Sequence, residues 1–208
     1  MAEFTFYTVA MSRGQIARWA LHEAGADYEQ VVFDWPDRPA SFRTINPMNK
    51  VPALVHHIEG HDHIVTECAA INHYLAETHP ARGLLPDPHE KAAYFRWLFF
   101  AAGPLEQAVV AQAMGWQVPE GKTGMAGFGS LGLTLDALDS WLSANDFVAG
   151  KRFTMADTYV GSQFVWGLRF GSIPERPAFR AYVERITQRP AYAEANAIDA
   201  ALIKAAQG

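Results

Sequence analysis

Two short stretches carry residue types suited to holding a small peptide-like ligand: Asn46-Pro47-Met48-Asn49-Lys50-Val51-Pro52-Ala53-Leu54 and, soon after, Thr66-Glu67-Cys68-Ala69-Ala70-Ile71. Pro52 cannot donate to a β ladder and restricts Val51 to an extended conformation, so Val51-Pro52 marks the start of an extended run. If that bond is cis, which X-Pro bonds alone adopt readily, the Val51 N–H and C=O turn outward. A short peptide can then pair with them as an added strand. Glu67-Cys68 follows the run His63-Ile64-Val65 and opens an amphipathic helix. The free N–H groups and positive dipole end of such a helix suit a carboxylate.

Two other patterns carry less. Gly127-Phe128-Gly129-Ser130-Leu131-Gly132 matches G-x-G-x-x-G and precedes a helix, but no strand comes before it, so a nucleotide is not expected there. His56, His57, His61 and His63 cluster on one hairpin. Adjacent His56 and His57 point to opposite faces of a strand, and no carboxylate or thiolate pattern completes a ligand set, so no metal is expected.

The elements that must position these residues follow from periodicity and breakers. Glu3–Thr8 alternates as a strand, and a turn at Val9-Ala10-Met11 leads to a helix with the stripe Ile16, Ala17, Ala20, Leu21 and Ala24, ended by Gly25. Tyr28–Phe33 is a second strand, 34–39 a loop, and 40–45 a helical turn or two. Ala53–His57 and His61–Val65 flank Ile58-Glu59-Gly60 as a hairpin, and Glu67–Thr78 is a helix stopped by Pro80. The order β-α-β-α-β-β-α is the thioredoxin-like pattern. Residues 1–80 therefore read as a thioredoxin-like α/β domain with a mixed four-stranded sheet, 81–88 as a linker rich in Pro, and 89–208 as an all-helical domain. Within the latter, Gly103-Pro104 predicts a kink in a helix over 89–113, and 114–129 is a glycine-rich loop. Helices follow at 130–142, from Thr154 to about Phe170, at 177–188 and at 192–206, with Asp157 placed to reach back to the Thr154 cap.

Composition narrows the class. Of 208 residues, 17 are Lys or Arg and 22 Asp or Glu, a formal charge of −5 that gives no basic footprint for nucleic acid or an anionic membrane. Glu106 interrupts the longest apolar candidate, around 97–114, so no membrane span is expected. The start lacks the basic segment and apolar core of a secretory signal, and Cys68 is the single cysteine, which excludes an intrachain disulfide. A reducing cytoplasm fits best.

The N-terminal strand, Ser12-Arg13 leading a helix, Asn-Pro-x-x-Lys-Val-Pro-Ala-Leu, Thr-Glu-Cys-Ala-Ala-Ile and Tyr74-Leu75 together resemble the glutathione-binding domain of cytosolic glutathione transferases. Phe153-Thr154-Met155-Ala156-Asp157-Thr158-Tyr159 looks like the capped sixth helix of that superfamily's helical domain, and Arg189-Pro190-Ala191-Tyr192 resembles its closing segment. The likeness covers essentially the whole chain and points to bacterial members of the Ser/Cys type. It implies a glutathione transferase that activates the glutathione thiolate for attack on a small hydrophobic electrophile, with glutathione as co-substrate and a homodimer as the assembly. Two alternatives share the fold: a non-catalytic module that binds glutathione or a partner, and a glutathione-dependent peroxide or disulfide reductase, which would want a cysteine near Ser12.

The resemblance assigns Ser12 to the activating position, where it donates a hydrogen bond to the glutathione sulfur. Lowering a thiol pKa of about 8.5 by two units needs about 2.7 kcal/mol. A hydrogen bond to a charged group supplies roughly 1.5–3 kcal/mol and a helix N-terminus about 0.3–1, so one hydroxyl at a helix start suffices. Ser12 is equally placed as a helix cap, since Ser12-Arg13-Gly14-Gln15 fits a capping box. Tyr7 is the rival hydroxyl. By the same resemblance Val51, before Pro52, pairs with the cysteinyl backbone, Glu67 with the γ-glutamyl ammonium and the Cys68 N–H with its carboxylate. Lys50 meets the glycyl carboxylate or is a solvated lysine. Most members carry Ser after this Glu, and a thiol is a much weaker donor, so Cys68 bears on affinity. Met11 and Trp35, with some of Trp97, Phe100, Trp116, Phe128, Phe164, Trp166 and Phe170, are candidates for the electrophile pocket.

Overall fold

The structure is a computed structural model that describes residues 2–34 and 38–207. Its contacts divide the chain into two units: the residues up to Leu85 together with those from Gln188, and Pro86–Thr187.

The first unit is built on a four-stranded mixed sheet in the order β2-β1-β3-β4, with β1 Phe4–Thr8, β2 Tyr28–Val32, β3 Ala53–Ile58 and β4 His61–Thr66. β1 runs parallel to β2 and antiparallel to β3, and β3 pairs antiparallel with β4. The right of β1 to the sheet centre follows from its alternation: Phe4, Phe6 and Thr8 are fully buried while Thr5 and Tyr7 face the other way. The hairpin turn sits at Glu59 and Gly60, both at positive φ, as a two-residue turn between right-twisted strands requires. α1 Gly14–Ala24 and α2 Cys68–Thr78 pack together, burying Ile16, Trp19, Leu21, Ile71 and Leu75. α8 Pro190–Gln207 lies along α1, so the last helix joins the first unit by its contacts although it follows the helical segment in sequence.

Gly14 shows why the β1–α1 turn is tight. A Cβ there would lie 1.9 Å from Thr8 Oγ1 and 3.1 Å from Ser12 Oγ. Gly14→Ala is therefore expected to destabilise the chain by about 1–3 kcal/mol. It should also displace the Ser12 hydroxyl; a denaturant midpoint equal to that of the parent would contradict the close approach.

The second unit is helical: α3 Lys91–Phe100, α4 Glu106–Met114, α5 Leu131–Ala144, α6 Met155–Phe170 and α7 Pro177–Thr187. α3 and α4 form one run joined by a π-helical turn over Ala101–Leu105 that contains Pro104. The wider turn accommodates a residue with no N–H and a ring that would collide with an α-helical carbonyl. Ser130 caps α5 by accepting from the Leu133 N–H at 3.2 Å. Thr154 and Asp157 close the capping box expected at the start of α6. Trp97, Leu105, Leu138, Phe164, Phe179 and Tyr182 form the core of this unit. No helix among the described residues is long and apolar enough to cross a membrane.

Candidate functional site

Strand register gathers the residues that could bind a peptide-like ligand. Tyr7 pairs with Ala53 and Ala53 with Thr66, so the C-terminal end of β1, the start of β3 and the end of β4 share one end of the sheet. Ser12 follows that end of β1, Val51-Pro52 precedes β3, and Glu67-Cys68 follows β4. Residues spread over more than fifty positions are thus brought to a common edge by hydrogen-bonded pairing alone.

Each arrives with specific geometry. The Val51-Pro52 bond is cis, and no hydrogen bond to the Val51 N–H or C=O is found among the described residues. Asn46, buried, fixes the approach: its Nδ2 donates to the Lys50 carbonyl at 2.8 Å and its Oδ1 accepts from the Met48 N–H at 3.0 Å. The Lys50 side chain is exposed and Pro52 is buried. Glu67 has φ 66 and ψ 121, a conformation that costs a non-glycine residue of the order of 1–3 kcal/mol and persists where its surroundings impose it. Its side chain is exposed and gives no cap to α2, and the positive dipole end of that helix suits an anion. Cys68 is buried, and its thiol donates to the Arg13 carbonyl at 3.6 Å. That contact fastens the start of α2 to the residue after Ser12.

Ser12 departs from the capping box that its sequence fits. The N-cap of α1 is Arg13 and Gln15 Nε2 donates instead to the Ala10 carbonyl at 2.8 Å. The Ser12 hydroxyl accepts from the Gly14 N–H at 3.0 Å and donates to the Val9 carbonyl at 2.7 Å. The box fails because Ser12 lies one position before the N-cap, so its hydroxyl meets the Gly14 N–H and leaves the Gln15 N–H to the Ser12 carbonyl. The Val9 carbonyl has a second donor in Thr8 Oγ1 at 3.3 Å. Tyr7 points to the other sheet face, where its ring lies 5.3 Å from Phe42 and 6.0 Å from Phe33.

Beside Ser12 the first unit holds a pocket of about 660 Å³ lined by Val9, Ala10, Met11, Phe33, Leu202 and Ile203, among others. Met11 lines this pocket, whereas Trp35 lies outside the described residues. The contribution from the end of α8 was missed, since 192–206 shows little more than a frayed amphipathic pattern. The second unit has an apolar cavity of its own, about 850 Å³, with Trp116 and Phe128 among its walls. Trp97 and Phe164 are fully buried core residues, and Phe100, Trp166 and Phe170 do not line that cavity.

Two of the four hairpin histidines, His56 and His57, are otherwise employed. His56 Nδ1 meets the Tyr74 hydroxyl at 2.9 Å and its Nε2 lies 3.3 Å from Glu3, and burial lowers its pKa. On the opposite face His57 contacts Asp62 at 2.7 Å and Thr5 at 2.9 Å. Among the described residues no group of three His, Cys, Asp or Glu side chains is arranged for a metal.

Two family models match the chain: glutathione S-transferase, N-terminal domain, over residues 2–77, and glutathione S-transferase, C-terminal domain, over residues 106–190. Among similar relatives, glutathione S-transferase 3 of Zea mays is 28% identical over 92% of both chains. Maleylacetoacetate isomerase of Rattus norvegicus is 32% identical over 74% of this chain and 72% of its own. A sphingomonad glutathione S-transferase solved with glutathione superposes with a TM-score of 0.74 at 28% identity, covering 94% of this chain and 98% of that one. A glutathione transferase from Methylococcus capsulatus gives 0.76 at 26% identity, over 95% and 98%.

Proposed function

The chain belongs to the glutathione S-transferase family, and we propose that it binds glutathione at the sheet end where Ser12, Val51 and Glu67 meet and transfers the glutathione sulfur to an apolar electrophile. The observation that carries this reading is the register that sets those three segments at one edge, next to the apolar pocket against Val9–Met11.

In this reading the Val51 N–H and C=O take the cysteinyl backbone, the first N–H groups of α2 take the γ-glutamyl carboxylate, and Glu67 takes the ammonium. Lys50, exposed beside Val51, takes the glycyl carboxylate. The thiol releases its proton to solvent, and the Ser12 hydroxyl donates to the resulting thiolate. The sulfur then forms a bond to the electrophilic carbon, and the leaving group departs with its electron pair. Two copies of the chain are expected to associate, as sedimentation would read. The sole cysteine is buried with its thiol turned to the Arg13 carbonyl, which favours conjugation over a reductase that works through a mixed disulfide.

The test is an ultraviolet titration of bound glutathione, with turnover of a generic aryl halide. A lowered thiol pKa with turnover supports transfer. Glutathione bound with an unshifted thiol and no turnover would leave a binding module.

The Cys68 thiol bears on affinity. A serine hydroxyl at this position is a stronger donor on a shorter bond and would turn from the Arg13 carbonyl to the ligand carboxylate. Cys68→Ser is therefore expected to tighten glutathione binding by about three- to tenfold, the worth of roughly 0.5–1.5 kcal/mol. Calorimetry giving an unchanged Kd would remove Cys68 from the ligand's surroundings.

A further inference from the structure

Arg18, six residues after Ser12, is fully buried. Its Nε donates to Asp199 Oδ1 at 2.8 Å, and its Nη1 donates to the Tyr28 hydroxyl at 3.0 Å and to Gln30 Oε1 at 2.8 Å. The guanidinium carbon stands 5.1 Å from the Phe6 ring centre. One side chain of α1 thus joins β1, β2 and α8. Asp199 is itself 3% exposed; burial pushes its carboxyl up and the Arg18 charge pulls it back.

A buried ion pair contributes little net stability compared with apolar packing, and its best-attested use is to fix register. The inner stripe of α8 shows what register would matter here. Leu202, Ile203 and Ala206 stand three, four and seven residues after Asp199, on the same helix face. All three line the pocket beside Ser12. Sliding α8 by one residue moves each wall atom by about 1.5 Å and turns the stripe by about a quarter of a circle. Arg189 on Glu23, Tyr192 on Trp19 and Glu194 beside His22 fasten the start of α8 to α1; an apolar residue at 199 would leave the turns beyond them free to shift, whereas a carboxylate that must meet Arg18 does not.

We propose that Arg18 and Asp199 are positioning residues for the electrophile: their pair locks the last two turns of α8 and so sets the depth of the apolar pocket beside Ser12. The inference rests on the transfer reading given above. It is tested with a series of ω-phenylalkyl halides of increasing chain length, assayed on the intact protein and on Asp199→Asn. Asn keeps an oxygen for Nε but removes the charge. The expected result is a KM for the longer halides changed by about five- to tenfold, with the preferred chain length shifted, while the pKa of the bound glutathione thiol stays at its parental value. Leu202→Ala should shift the same preference, and adding it to Asp199→Asn should change little more, because both act on one wall. Should Asp199→Asn not fold, Tyr28→Phe, which releases one hydrogen bond to Arg18, should move the preference the same way by a smaller amount. An unshifted chain-length profile in whichever of these Arg18-network variants folds, with thermal stability alone reduced, would overturn the inference. If the parent protein conjugates none of the halides, the transfer reading fails instead.

Discussion

Replacing Ser12 with alanine is expected to raise the pKa of the bound glutathione thiol by about one to one and a half units and to lower kcat/KM near neutral pH by roughly 10- to 30-fold. The magnitude follows from the exchange of partners at one hydroxyl. At rest its proton goes to the Val9 carbonyl and its oxygen accepts from the Gly14 N–H. To serve a thiolate the hydroxyl must swing that proton to sulfur. It gives up a neutral hydrogen bond of about 0.5–1.5 kcal/mol and gains one to a charged group of roughly 1.5–3. The Val9 carbonyl is not abandoned, because Thr8 Oγ1 already donates to it, so the swing carries little penalty. The Gly14 N–H continues to donate to the hydroxyl oxygen and polarises it further.

The pH dependence separates this role from a structural one. A group that stabilises the thiolate moves the acid limb of the pH–rate profile, so Ser12→Ala should shift that limb upward and lose less activity at high pH, where the thiolate forms unaided. A uniform loss at every pH, with the limb in place, would mean that Ser12 only shapes the turn. Tyr7→Phe serves as the comparison. Its ring packs against Phe42 and against Phe33, a wall of the apolar pocket, so any loss should fall on KM for the electrophile while the limb stays put.

What the sequence made legible was mainly local. The alternation of β1, the Glu59-Gly60 turn and the Thr154-Asp157 cap each depend on neighbours within a few positions, where side-chain period and turn chemistry act directly. The segments of the candidate site were legible as elements for the same reason: Val51-Pro52 and Glu67-Cys68 announce a strand start and a helix start by their own residue types. Arg18 and Asp199 lie 181 positions apart, and neither differs in sequence from a solvated surface charge. Only the return of α8 to α1 makes them a buried pair, and with it the pocket wall at Leu202 and Ile203. The Ser12–Gln15 box failed on a local rule because a longer-range constraint competed. Thr8 Oγ1 leaves no room for a side chain at residue 14, helix α1 is capped at Arg13, and the Gln15 amide donates to the Ala10 carbonyl.

Asp157 should be the most costly residue to lose for stability. It is fully buried. Oδ1 accepts from the Val148 N–H and the Tyr182 hydroxyl, both at 2.9 Å, and Oδ2 from the Thr154 N–H at 2.9 Å and its hydroxyl at 3.1 Å. One carboxyl therefore ties the start of α6 to the 145–150 segment and to α7. Asp157→Ala strands four donors and is expected to lower the unfolding free energy by about 3–5 kcal/mol, enough to leave little folded protein at 37 °C. Asp157→Asn keeps one accepting oxygen but turns an NH2 toward the Thr154 donors, and should lose about half as much. The two variants also differ from the parent in pH response. Burial raises the native carboxyl from 3.8 to about 6, so the native state holds a proton that the unfolded state has released between those values. The stability this confers is complete below about pH 4 and lost as pH rises through 6. Neither variant titrates at this position, so the advantage of the parent over Asp157→Asn should shrink between pH 5 and pH 7.5 in denaturant unfolding. A constant gap across that range would mean that the four donors hold Asp157 ionised throughout and that burial has not raised it.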